Sequence, residues 1–289
     1  MSARRRSVAA LAILTLAGGA AVYGTYLLAV QPREGEPSGR CTASLDEASA
    51  SLSAEQAGNA ALIAASSSRL GLPARGATIG IATAMQESSL INIDYGDRDS
   101  IGLFQQRPSQ GWGSIEQIMD PYYSADTFYT ALAKVSGWQD MAVTVAAQTV
   151  QRSAFPDAYA KHEGMARLWA SALRGHSGSL AVDCDVSAGP GTTAAAFVDR
   201  IDHDLGAGAY EVRALASTED GLWLDVVPAG AERWRRDAFA AWAVAVAATE
   251  SVEAVVDGTT GWERATGLGA VDAPGAPLGV AVRLLPVEP

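Results

Sequence analysis

The apolar and polar positions of the chain fall into three regimes. Residues 8–30 carry no charged side chain, and as a helix they are long enough to cross a hydrocarbon layer of about 30 Å. Arg4, Arg5 and Arg6 precede this run, which places residues 1–7 in the cytoplasm and everything after Gln31 outside. A secretory signal is the alternative, with Ala17, Ala20 and Ala21 offering a cleavage site. The run continues through Tyr23, Tyr26, Leu27 and Leu28, however, which is long for a signal and favours an uncleaved anchor.

A polar linker, residues 31–40, leads to a second regime between Cys41 and Cys184 in which helical spacing dominates. Ser53 followed by Gln56 has the form of a capping box, and Gly71 with Pro73 predicts where that helix stops. The stretch "PARGATIGIATAMQES" predicts the next helix, with Ile79, Ala82 and Met85 on an apolar face among small residues. Further helices are predicted at 114–119, 124–134, 141–152 and about 156–173. Strand pattern is nearly missing here, apart from short pairing around Ile91 to Ser100.

After "VSAGPGTTA", with a linker at 186–194, the pattern becomes mixed. "AAAFVDRIDHDLG" and "ERWRRDAFAAWAVAVAATE" predict helices, "YEVRALAS" and "GLWLDVVPAG" a hairpin, and "SVEAVVDG" and "LGVAVRLLPVE" further strands. The expected organisation is a cytoplasmic tail (1–7), a transmembrane helix (8–30), a mainly α domain (41–185) and a small accessory α+β domain (195–289).

The formal net charge is −11 and the one basic cluster is at the extreme N-terminus, so nucleic acid is not an expected partner. His162, His176 and His203 lie far apart without metal-ligand spacing, and no phosphate-binding or dinucleotide motif occurs. Neither metal nor cofactor is therefore expected. Outside the cytoplasm, a Cys41–Cys184 disulfide would close a loop of about 140 residues and mark both ends of the helical domain. Two separate buried thiols are the alternative.

Candidate chemistry centres on Glu87, at the end of its predicted helix. The negative end of the helix dipole and the nearby apolar Met85 and Leu90 would keep a proton on this carboxyl, as protonation of a glycosidic oxygen requires. An exposed glutamate at a fraying helix end would look the same in isolation. The surrounding order "QESSL", "YGDRDSIGLFQQ", "DPYYSADTFYTALAKVSGW", "AAQTVQRSAFPDAYAKHE" resembles that of the lysozyme-like lytic transglycosylases and goose-type lysozymes. It is also similar to lysozyme-like domains of actinobacterial envelope proteins, over about Ser53 to Leu173.

The resemblance implies a lysozyme-like fold with Glu87 as general acid/base and Ser88 steadying it. It implies a sugar cleft lined by Gly102, Leu103, Phe104, Gln105 and Gln106, with Phe104 where the family usually has Met. Gln148 falls near the family's "AYN" asparagine, although the residues there differ, and Tyr159 matches the tyrosine that closes the cleft. Asp97 in "GDR" matches the water-positioning aspartate of the goose-type enzymes, with Asp99 as an alternative. Asp94, Asp97 and Asp99 around Gly96 also suit tight turns and pairing with Arg98. With a second carboxylate the reaction is hydrolysis; without one, the C6 hydroxyl attacks and a 1,6-anhydro sugar forms. The expected function is a membrane-anchored, extracytoplasmic enzyme, a lytic transglycosylase or muramidase, that cleaves peptidoglycan glycan strands. A weak or inactive glycan-binding or envelope scaffold module is the alternative, its C-terminal domain docking an envelope protein.

Overall fold

Strands β1 (Gly39–Leu45) and β2 (Ala48–Ser53) form a hairpin, and β3 (Val182–Val186) pairs antiparallel with the other side of β1. Cys41 and Cys184 are directly opposite in the β1–β3 register and are joined by a disulfide, as expected. The computed structural model describes residues 38–153, 157–189, 191–275 and 277–285. The tail and the expected anchor at 8–30 lie outside them, and no described helix is long and apolar enough to cross a membrane.

Nine α-helices are present among the described residues: α1 (Ala54–Arg69), α2 (Ala74–Ser88), α3 (Ile115–Met119), α4 (Pro121–Leu132), α5 (Val143–Gln151), α6 (Glu163–Leu173), α7 (Ala194–Leu205), α8 (Arg233–Ala245) and α9 (Ala247–Glu250). A second antiparallel sheet has the order β4-β5-β9-β6-β7-β8. Its strands are β4 (Tyr210–Thr218), β5 (Gly221–Pro228), β6 (Val252–Asp257), β7 (Thr260–Glu263), β8 (Gly267–Gly269) and β9 (Val280–Leu284). The fold expected from the sequence for the residues after the anchor, a mainly α lysozyme-like domain with a small α+β domain behind it, is corrected by this architecture. The described chain is 42% helical and 23% strand, with nine strands in two antiparallel sheets, one of which frames the helical half itself. Residues on both sides of the 186–194 linker also gather into a single compact unit, Pro37–Pro289.

The physical reason is that the first sheet is built from small residues. Only Cys41, Ala43 and Leu52 of β1 and β2 are buried apolar residues, and neither strand has a β-branched run or an aromatic. Their turn, Asp46–Glu47, contains no glycine, and Asp46 itself takes the left-handed conformation (φ 53°). Replacing Cys41 and Cys184 by serine releases a long loop in the unfolded chain. We expect a loss of about 2–5 kcal/mol in urea unfolding.

Helix α2 carries Glu87 and is packed closely on two neighbours. A Cβ on Gly80 would fall 2.2 Å from the Tyr129 hydroxyl of α4 and 2.9 Å from Ile63 Cγ2 of α1, so glycine sets that spacing. The helix ends in two successive left-handed residues, Ser89 (φ 57°) and Leu90 (φ 58°). Helix α1 fastens this reversal, because Gln56 Nε2 donates to the Ser89 carbonyl and Asn59 Nδ2 to that of Leu90, both at 2.8 Å. The Ser53–Gln56 capping box predicted for α1 is present.

Candidate functional site

Glu87 sits in the last turn of α2, half-buried, at one side of a cavity of about 540 Å³. Its carboxyl is raised above the ordinary carboxylate range because burial penalises the charged form. Hydrogen bonds from Tyr159 and Gln151 oppose that shift without cancelling it. The Tyr159 hydroxyl donates to Glu87 Oε1 at 2.6 Å. Ser88, buried next to it, donates from Oγ to the Leu103 carbonyl at 2.8 Å, which ties the helix end to the "GLFQ" segment.

That segment stands behind the carboxyl as its support. Leu103 and Phe104 are fully buried, and Phe104 stacks on Phe128 with ring centroids 4.5 Å apart. The Phe104 carbonyl accepts from Gln151 Nε2 at 2.7 Å. Gly102 takes a positive φ of 78°, and a Cβ there would lie 2.8 Å from the Ile118 carbonyl oxygen. Of the five residues expected to line a cleft, only Gln105 reaches the cavity. Its amide also donates to the Tyr95 carbonyl at 3.2 Å, and its Oε1 occupies the space a Cβ on Gly96 would need. Gln106 is buried in the core, donating to the Ser124 carbonyl.

The two aspartates of "GDRD" separate clearly. Asp99 accepts from Arg107 Nε at 2.7 Å and from the Ser109 backbone amide at 2.8 Å, which fixes the turn at Pro108–Gln110. Its carboxyl lies well below the ordinary range, held there by Ser109 first and by Arg107 next. Asp97 instead lines the cavity, 92% exposed, with only a loose 3.9 Å approach to Arg98 Nε. Asp97 is thus the second carboxylate of the cavity.

On the far wall, Gln148 turns away from the cavity, and its amide donates to the Ser153 carbonyl at 2.6 Å. The wall is formed by Gln151, Arg152 and Ser153 at the end of α5, with Gln110 and Trp112 from the segment just before α3. Sequence reasoning missed Gln151, which is three residues beyond Gln148 and so nearly on the same helical face. A glutamine at that spacing was the available signal, but helix rotation decides which of the two faces Glu87.

Removing the Tyr159 hydroxyl removes a bond that favours the charged carboxylate. Tyr159→Phe is therefore expected to raise the Glu87 pKa further, seen as an upward-shifted titration of its carboxyl carbon by NMR. An unchanged midpoint would refute the link between the two groups. Among the described residues no group of His, Cys, Asp or Glu is arranged to hold a metal ion. In comparison with known proteins, no family model matches the chain and no curated protein does.

Proposed function

We propose that the protein cleaves the β-1,4 bond of an extracytoplasmic glycan strand of the peptidoglycan type, with Glu87 as general acid and then base. One observation carries this: a desolvated carboxyl, raised above its ordinary range and hydrogen-bonded by Tyr159, opens onto a cavity of about 540 Å³. The motif order that resembles lytic transglycosylases and goose-type lysozymes supports the substrate class. The Cys41–Cys184 disulfide supports an oxidising compartment.

In the first step the Glu87 carboxylic acid gives its proton to the glycosidic oxygen as the bond to the anomeric carbon breaks. The Glu87 carboxylate then accepts a proton from the attacking hydroxyl. If water attacks, a reducing sugar forms; if the C6 hydroxyl of the same sugar attacks, the product is a 1,6-anhydro ring. Asp97, on the same cavity and without a close ion pair, is the group that would hold the water.

The test is digestion of purified peptidoglycan by the full chain, wild type beside Glu87→Gln and Asp97→Asn, with products weighed by mass spectrometry. Equal digestion by wild type and Glu87→Gln removes Glu87 from the mechanism. No digestion by the wild type leaves the cleft a glycan-binding site. Reducing ends that disappear in Asp97→Asn assign water to that aspartate, whereas anhydro products unchanged by it assign the C6 hydroxyl.

A further inference from the structure

The cavity beside Glu87 does not end at Trp112. A second cavity of about 530 Å³ adjoins it, and Gln110, Trp112, Gln151 and Arg152 line both. The second arm continues to Lys134, just beyond the end of α4, and no acidic side chain lines it. Neither Lys134 nor Arg152 makes an ion pair among the described residues. In a chain of net charge −11, most arginines are spent on carboxylates of the fold, so an arm with two uncommitted cations and no acid is a local reversal of sign. Arg152 also holds the left-handed conformation (φ 53°) that ends α5 and turns its side chain position to the junction of the two cavities. Glycine or asparagine meets that backbone requirement at lower cost, so the backbone does not account for arginine there.

We infer that this second arm holds an anionic substituent of the glycan strand, the carboxylates of a peptide stem, next to the bond that Glu87 cleaves. The inference rests on the proposed cleavage of peptidoglycan strands and names what the cleft reads along them. A stem hangs from alternate sugars and ends in free carboxylate. A guanidinium and an ammonium on one wall match that charge, Arg152 in a planar fork and Lys134 as a mobile point charge. Trp112, half-buried between the arms, offers a ring to the sugar that separates stem from scissile bond.

The probe is the full chain carrying Glu87→Gln, titrated with three preparations of glycan strands at low salt. One bears peptide stems and no phosphodiester-linked polymer, one has the stems removed, and one lacks stems but keeps the polymer. Stem-bearing strands should bind about 10-fold more tightly than stripped ones, as two charge-assisted contacts at a partly exposed wall would give. Adding Lys134→Gln with Arg152→Asn should bring that ratio close to one, and Lys134→Arg with Arg152 intact should keep it. Asparagine suits the left-handed helix end, and the single Lys134→Gln, at an exposed position, should by itself lower the ratio. Equal binding of stem-bearing and stripped strands overturns the inference, as does a ratio that survives both substitutions. A gain that follows the phosphodiester polymer instead of the stem also overturns it. Digestion of stripped strands by the chain with Glu87 intact reads the cleavage proposal separately, so the two can fail independently.

Discussion

Glu87→Gln is expected to reduce glycan-strand cleavage by about 10²–10⁴-fold, the range that a positioned general acid contributes. Glutamine keeps the shape and one oxygen that can accept from Tyr159, but it has no proton of suitable acidity to give. Fold and strand binding should survive, and the variant should gain stability near neutral pH. The sign follows from burial. The folded-state pKa of Glu87 lies above its unfolded value, so folding is favoured when the group is protonated. That advantage is present below the unfolded pKa and is lost as pH rises through the folded one. Glutamine never ionises, so its unfolding midpoint should exceed the wild type's at neutral pH, and the two should converge in acid. For the same reason the wild type's cleavage should fall on the alkaline side as Glu87 loses its proton, at a pH above the ordinary carboxylate range. A Glu87→Gln chain that is inactive but also less stable than wild type at neutral pH would mean that the loss is structural. Comparison of thermal midpoints at two pH values with turnover distinguishes the two.

How much of this was legible in the sequence depends on the distance over which each element is decided. The Ser53–Gln56 cap, the stop at Gly71 and Pro73, and the β4–β5 hairpin are local, and local residues specify them. The first sheet is not local. The Cys41–Cys184 pairing spans 143 positions; β1 and β2, rich in Ala, Ser and Thr, carry little periodic apolar signal, and the alternation Val182, Cys184, Val186 in β3 is only five residues long. At the site, Glu87 was legible through the order of motifs around it. The support role of Leu103 and Phe104 was not, because a buried apolar pair looks the same whether it lines a cleft or stands behind one. Gln151 and Arg152 were missed because the turn ending α5 decides their facing, and "AAQTVQRS" differs in residue type from the pattern it resembles. Asp97 was preferred over Asp99 on motif position alone; Arg107 and Ser109 hold Asp99 in a turn, which no local pattern shows.

Asp204→Ala should cost about 3–5 kcal/mol, the penalty for removing one partner from a buried charged network. In sequence, "RIDHDLG" reads as the polar face of a surface helix, yet Asp204 at the end of α7 is completely buried. It accepts from Tyr122 Oη at 2.6 Å, from Arg200 Nε at 2.8 Å and, through its other oxygen, from Trp242 Nε1 at 2.8 Å. The backbone is engaged as well: Arg69 Nη1 donates to the Asp204 carbonyl, while Arg69 Nη2 binds Asp126. One carboxylate thus joins α4 of the helical half to α7 and α8 of the later half, and Tyr122 is further held by stacking on His203. Alanine would leave a half-buried phenol and a buried indole N–H without this acceptor, and Arg200 with Glu250 as its one carboxylate partner. Helix α4 also reaches the site, since the Tyr123 hydroxyl donates to the Trp112 carbonyl and Trp112 lines both cavities. A double-mutant cycle of Asp204→Ala with Tyr122→Phe, measured by urea unfolding, should show a coupling energy above about 1 kcal/mol. Additive losses, or a loss from Asp204→Ala below about 1 kcal/mol, would mean that the two halves are held together by apolar packing and that this carboxylate contributes little. A large coupling would make the later half a structural requirement of the cleft, because the helix that steadies Trp112 is anchored through it.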